Sequence, residues 1–171
     1  MKTSIYIAAS ANGLISNGRN VPDWLSEEYG QVLYAMCERT GAVIMGRTTY
    51  EILAPDYLPL KNTGTTVVLT TNSKAKSDNP TVVFTKDDPA AIVEMLKKKG
   101  HTHAVIIGGT MTISAFVNAG VVDDIYLVVE PVLFGTGLPL FKEVESETKL
   151  NLVEIKKLNE RTVQLHYELK K

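Results

Sequence analysis

Two stretches of this chain run from an unbroken apolar segment through glycine into a helix start. The first is Gly46-Arg47-Thr48-Thr49-Tyr50-Glu51, which follows the apolar residues 42–45. The second is Gly108-Gly109-Thr110-Met111-Thr112, which follows the apolar residues 104–107. A helix start carries unpaired backbone N–H groups and the positive end of the helix dipole, and both attract an anion. Gly46 allows close backbone approach, Thr48 can cap and donate, and the Arg47 guanidinium can fork onto phosphate oxygens. Taken singly, each junction is equally a tight turn with a capped helix behind it. Taken together, at the carboxyl edges of strands in one parallel sheet, they predict a pyrophosphate held between two helix starts. The G-x-G-x-x-G dinucleotide fingerprint is absent. A third stretch, Thr70-Thr71-Asn72-Ser73-Lys74, offers hydroxyls, an amide and an ammonium to a phosphate monoester. The same residues also make an ordinary polar turn.

The elements that must position these groups read as an α/β fold. Residues 4–9, 42–45, 65–70, 81–84 and 104–107 are short, mostly apolar runs, typical of strands buried on both faces. Helical patterns separate some of them, which argues for a mainly parallel sheet covered by helices. Residues 24–38 carry Leu25, Tyr29, Val32, Leu33 and Met36 at helix spacing, with Pro22-Asp23 as the break and N-cap candidate. Asp87-Asp88-Pro89 opens a second helix that stops at Gly100, and a third spans about 111–118. Lys97, Lys98 and Lys99 fall at the second helix's C-terminal end, where cations complement its dipole. Residues 124–129 form another strand, and 150–156 with 162–169 alternate as an antiparallel hairpin around Asn159-Glu160-Arg161.

Composition bounds the function. The 171 residues fit one domain, with 44% hydrophobic and 22% charged residues, as in an ordinary globular protein. A net charge of −1 leaves no basic field for nucleic acid or an anionic membrane surface. Cys37 is the single cysteine, so it forms no intramolecular disulfide and no cysteine metal cluster, and its helical setting predicts burial. His101, His103 and His166 are not placed as a base or a metal site, and no metal is expected. The first seven residues lack a signal-peptide core and no run reaches membrane-spanning length, which predicts a cytoplasmic protein.

In order and spacing, the segments at residues 5–10, Asn12-Gly13-Leu14-Ile15, residues 43–51 and Ile106-Ile107-Gly108-Gly109 resemble the dihydrofolate reductase superfamily. Residues 120–125 and 131–137 look closer to its riboflavin-biosynthesis branch, the RibD C-terminal reductase domain. The resemblance covers nearly the whole chain. It implies a three-layer αβα fold of the dihydrofolate-reductase type, with a mostly parallel sheet that ends in an antiparallel hairpin. It also implies NADPH as cofactor. Gly46, Arg47 and Thr48 would meet its pyrophosphate and 2′-phosphate side, and Thr70, Thr71 and Asn72 would line the adenosine phosphate. Gly108 and Gly109, joined by a cis bond, would approach the pyrophosphate, with Thr110, Met111 and Thr112 at the helix start. Backbone groups of Ala8 and Ile15 would hold the nicotinamide carboxamide. An Arg beside hydroxyls favours NADPH over NADH, since a phosphate dianion rewards charge-assisted bonds. The implied reaction is hydride transfer to a ribosylaminopyrimidine, pyrimidine or pterin-like small molecule, in a cleft walled by Trp24, Leu25, Glu28 and Leu53.

The chain also departs from the resemblance. The buried carboxylate of folate-type reductases falls on Gly30 here, and Ile113 replaces an aromatic after the Gly-Gly turn. Glu28 is the nearest catalytic candidate. It shares a helix face with Leu25, Val32 and Met36, where desolvation is expected to raise its pKa toward that of a useful acid. Asp23 reads as a cap and Glu27 as a surface residue. The chain has neither the length nor the motifs for an accompanying zinc deaminase domain. Dihydrofolate reduction and a non-catalytic NADP(H)-binding module remain the alternatives. The apolar, glycine-bearing residues 131–140 suggest a pairing surface for a homodimer.

Overall fold

The structure, a computed structural model, describes residues 1–19, 21–54, 57–58, 64–145 and 147–170. Its main sheet contains β1 (Lys2–Ser10), β3 (Ala42–Gly46), β4 (Thr65–Leu69), β5 (Val82–Thr85), β6 (His103–Ile106), β7 (Asp124–Glu130), β9 (Leu150–Lys157) and β10 (Val163–Leu169). The short strands β2 (Leu14–Ser16) and β8 (Leu138–Pro139) pair separately. The order across the main sheet is β5-β4-β3-β6-β1-β7-β10-β9. All neighbours are parallel from β5 to β7, and β10 and β9 close the far edge antiparallel. The expected parallel sheet with a terminal hairpin is the observed architecture.

Alternation along the central strands divides the core. Ile5, Ile7, Ile44 and Ile106 face one side, where α3 (Pro89–Lys98) contributes Ile92, Val93 and Leu96 and α4 (Thr110–Asn118) contributes Ile113 and Phe116. Tyr6, Ala8, Val43 and Met45 face the other, against Tyr29, Met36 and Cys37 of α1 (Glu27–Thr40) and Tyr50 and Leu53 of α2 (Arg47–Leu53). Cys37 is fully buried, and burial pushes its thiol up to about 12, as a packing residue requires.

Two features differ from the sequence reading in ways that bear on the site. Helix α1 begins at Glu27, not near Trp24, and its N-cap is Ser26 rather than Asp23. Ser26 Oγ accepts from the Tyr29 N–H while donating to Glu130 Oε1 at 2.7 Å. Glu130 is buried at the end of β7 and also accepts from Ser26 N and Thr162 Oγ1. A tertiary carboxylate therefore selects the cap, a choice that local propensity cannot show. The β2/β8 pair was not anticipated either. Residue 137 passes so close to β2 that a Cβ there would lie 1.8 Å from Ser16 O, so only glycine fits.

Candidate functional site

Strands β3 and β6 are neighbours, with Val43 opposite Val105 and Ile44 opposite Ile106. Their continuations therefore emerge side by side. Ile107 N donates to Ile44 O at 3.0 Å, and Gly46 N donates to Gly108 O at 2.8 Å. A Cβ on Gly46 would stand 2.8 Å from Thr112 Oγ1, so the absence of a side chain lets the starts of α2 and α4 close on each other. The Gly108–Gly109 peptide is cis. Neither helix has a side-chain cap: Gly46 and Gly109 occupy the N-cap positions without a side-chain hydrogen bond. First-turn amides of both helices are thus left for an outside acceptor.

These junctions form the floor of a cleft of about 830 Å³, within the roughly 300–1,000 Å³ typical of small-molecule sites. Among the residues expected to bind a ligand, Gly46, Arg47, Thr48, Thr70, Thr71, Gly108, Gly109, Thr110, Met111 and Thr112 line it together. Ala8 and Ile15 line it from the first strand and β2, and Trp24, Leu25 and Leu53 form its apolar wall. Trp24 is held edge-on to Phe134 at 5.1 Å. Two of residues 131–140, expected as a pairing surface, reach this cleft, and a third packs on its wall. Leu138 and Pro139 line it, Pro139 O accepts from Thr110 Oγ1, and Phe134 is fastened to Asn12 by two hydrogen bonds.

Asn72 stands beside the cleft rather than in its lining; its Oδ1 accepts from Lys74 N at 3.0 Å and closes the loop after β4. Glu28 is also outside the lining. Asn159 Nδ2 of the terminal hairpin donates to its Oε2 at 2.8 Å. That bond holds the Glu28 carboxyl below its ordinary range, so the expected upward shift is corrected in sign. The helix stripe was read correctly as apolar, but Glu28 stands at its hairpin side, where a partner stabilises the charge. The three histidines do not line the cleft either. His101 meets Thr65 Oγ1, His103 meets Ser4 Oγ, and His166 meets Asp124 Oδ1.

The structure adds residues that motif reasoning passed over. Tyr29 lines the cleft from α1, stacked on Tyr6 at 5.1 Å, and burial raises its hydroxyl pKa so that it stays protonated. Lys86, after β5, and Lys142, after β8, reach the same cleft as Arg47. No carboxylate belongs to the lining among the described residues. Lone lysines in polar loops give no periodic signal, so the sequence offered no way to find them. The Arg47 guanidinium is paired with Glu51 at 2.9 Å, both side chains being about half exposed. Three cations, two hydroxyl-bearing loops and two uncapped helix starts suit a ligand with several anionic groups.

No helix among the described residues is long and apolar enough to cross a membrane. The model of the RibD C-terminal domain family matches residues 3–164. YwjB of Bacillus subtilis (strain 168) is 33% identical over 97% of both chains. A putative riboflavin biosynthesis protein from Shewanella sp. PV-4 has the same fold, with a TM-score of 0.79, 24% identity and full coverage of both chains. So does a diaminohydroxyphosphoribosylaminopyrimidine deaminase/5-amino-6-(5-phosphoribosylamino)uracil reductase from Thermotoga maritima, with a TM-score of 0.77 and 16% identity; the match covers 99% of this chain and 56% of that one. The family model spans nearly the whole chain, which therefore belongs to the RibD C-terminal domain family.

Proposed function

We propose that this chain is an NADPH-dependent reductase that delivers hydride to a pyrimidine-type substrate, foremost a ribosylaminopyrimidine phosphate. The observation that carries the reading is the pair of uncapped helix starts joined by the 2.8 Å bond from Gly46 N to Gly108 O. A cradle that a single Cβ on Gly46 would crowd, flanked by cations, supports it. Gly46, Thr48 and residues 108–112 would bind the pyrophosphate through backbone amides and hydroxyls. Arg47, Thr70 and Thr71, joined by Lys86, would take the 2′-phosphate side, with Asn72 shaping the loop. Ala8 and Ile15 would orient the nicotinamide toward Trp24, Leu25 and Leu53, the wall against which a planar substrate can stack. When bound, the cofactor supplies the hydride; the chain supplies positioning and exclusion of water. Tyr29 keeps its proton at neutral pH and serves as a hydrogen-bond donor rather than a base. Glu28, engaged by Asn159, has no part in proton delivery on this reading, so Glu28→Gln leaves turnover unchanged.

Calorimetry with NADPH and NADH, followed by NADPH oxidation with a ribosylaminopyrimidine phosphate and with dihydrofolate, tests this. Tight NADPH binding and turnover of the first substrate are expected. No heat with either dinucleotide sinks the reading. One observation favours a second reading, an NADP(H)-binding module without turnover: no carboxylate lines the cleft among the described residues. Binding without oxidation of either substrate would select it.

A further inference from the structure

Thr110, Ser114 and Asn118 stand about one turn apart on a single face of α4. All three engage the same stretch of chain, the residues of β8 and those that follow it. Thr110 Oγ1 donates to Pro139 O. Ser114 Oγ accepts from Lys142 N at 2.9 Å. Asn118 Nδ2 donates to Glu143 O at 2.9 Å, and its Oδ1 accepts from Glu145 N at 3.1 Å. Glu143 has a φ of 57°, in the left-handed region that side chains disfavour, and the two Asn118 bonds hold the chain at and just after that residue. Nearer its start, Leu140 N donates to Gly13 O at 3.2 Å, just beyond β1. Residues 138–145 therefore form a strap laid along α4 and fastened to it turn by turn. The strap carries Lys142, which lines the cleft together with Thr110, Met111 and Thr112 of the α4 start.

We infer that Lys142 is the cation that neutralises the diphosphate of the bound dinucleotide, and that Ser114 positions it. On the dinucleotide reading of the cleft, on which this rests, the two helix starts offer the diphosphate amides and hydroxyls without a full positive charge. The other two cations are placed elsewhere. Lys86 follows β5, which lies three strands from β6 in the sheet, about 14 Å across it. Arg47 begins α2, whose Tyr50 and Leu53 pack on the opposite face of the sheet from Ile113 and Phe116 of α4. Trp24, Leu25 and Leu53, the wall for a planar substrate, share the α2 face, so Lys142 is placed for the cofactor rather than for a substrate phosphate. The strap fixes the Lys142 backbone and leaves its ammonium exchangeable. Its nearest carboxylate is Glu143 Oε1 at 3.5 Å, with both side chains more than half exposed. Such a pair is weak, and a charge-assisted bond to a diphosphate oxygen displaces it.

Calorimetry of the full chain with NADPH and with NADH tests this. Both carry the diphosphate, so Lys142→Ala is expected to weaken both by the same factor, about 10-fold. Lys142→Arg is expected to restore most of that loss. Ser114→Ala keeps the ammonium but loosens the strap, and is expected to weaken both dinucleotides by about 3-fold. It is expected to cost nothing further once Lys142 is alanine, a non-additivity that a merely structural Ser114 would not show. Lys97→Ala, in the last turn of α3 and outside the cleft lining, is expected to change neither affinity. Unchanged binding by Lys142→Ala, a loss confined to NADPH, additive losses in the double variant, or an equal loss from Lys97→Ala would each overturn the inference. So would intact dinucleotide affinities with a raised KM for a ribosylaminopyrimidine phosphate, which would assign Lys142 to the substrate. A wild type that gives no heat with either dinucleotide fails the underlying reading and the inference together, whereas a binding wild type with an indifferent Lys142→Ala fails the inference alone. If Ser114→Ala does not fold, the loss at Lys142→Ala and its recovery in Lys142→Arg decide, because that side chain is exposed.

Discussion

Helices α1 and α3 end their N-termini differently from α2 and α4. Ser26 Oγ accepts from Tyr29 N at the start of α1, and Asp88 Oδ1 accepts from Ala91 N at 2.8 Å at the start of α3, with Pro89 in the first turn. Each chain segment there supplies its own acceptor, as an isolated helix start requires. At α2 and α4 glycine stands in the same position and supplies none. Those two starts lie beside each other on the cleft floor. The contrast teaches that missing caps are not a general looseness of this sequence. They occur where two strand ends converge and where cations gather, which is where a polyanionic ligand would complete the hydrogen bonding.

The contrast breaks hardest at Gly46. Its φ of −80° suits any residue, so Gly46→Ala acts only through the 2.8 Å approach of the new Cβ to Thr112 Oγ1. Either the buried Thr112 side chain must turn or the helix starts must separate, and NADPH affinity measured by calorimetry should fall by about 100-fold, or ~2.7 kcal/mol. Adding Thr112→Ala removes the obstructing hydroxyl and should restore part of the loss. Failure to restore would show that the starts do not act as one cradle. Gly109→Ala sharpens the same point, because its Cβ would meet nothing nearer than Thr49 Oγ1 at 3.7 Å. The free protein should melt as the wild type does, while NADPH binding drops by about 10- to 100-fold through contact with the ligand itself. Unchanged affinity in the folded variant would remove Gly109 from the site. Arg47→Ala should weaken NADPH by about 10-fold with little effect on NADH, since one charge-assisted fork to a phosphate is lost. Equal losses for both dinucleotides would show that Arg47 does not read the 2′-phosphate.

How far the sequence foretold this depends on the kind of signal. The parallel strands, the final hairpin and both glycine junctions were legible because buried strands are short apolar runs and glycine before a helix is local information. Convergence of the junctions followed from the Gly-Arg-Thr and Gly-Gly motifs read as a pair. What failed was set by distant partners. Ser26 caps α1 because Glu130 holds it from another strand, and Glu28 lost its expected acid character to Asn159, 131 positions away. Lys86, Lys142 and Tyr29 join the cleft through topology alone. The alternation read across residues 150–156 is interrupted at Val153, where a register shift against β10 leaves one residue over, and only the pairing reveals it.

The capped side of the comparison has its own tests, with smaller effects on stability and none on the ligand. Ser26→Ala removes the cap of α1 and one of the bonds to buried Glu130, and should cost about 1–2 kcal/mol in denaturant unfolding. NADPH affinity should not change, because Ser26 lies outside the cleft lining; a tenfold loss would mean that the start of α1, and not only Tyr29 and Leu33 further along it, takes part in binding the cofactor. Gly30→Ala is the mildest change and runs the other way. Gly30 lies within α1, and a Cβ there meets nothing within 4 Å. Alanine should therefore add about 0.5–1 kcal/mol of stability by removing backbone freedom from the unfolded chain. This is also the position on which the resemblance to folate-type reductases puts their carboxylate. Gain of stability with unaltered NADPH binding and turnover would place the chemistry with the uncapped helices and the groups across the cleft. A fall in turnover from one added methyl would instead show substrate pressed against α1 at residue 30, beyond the contacts that Tyr29 and Leu33 already give the cleft.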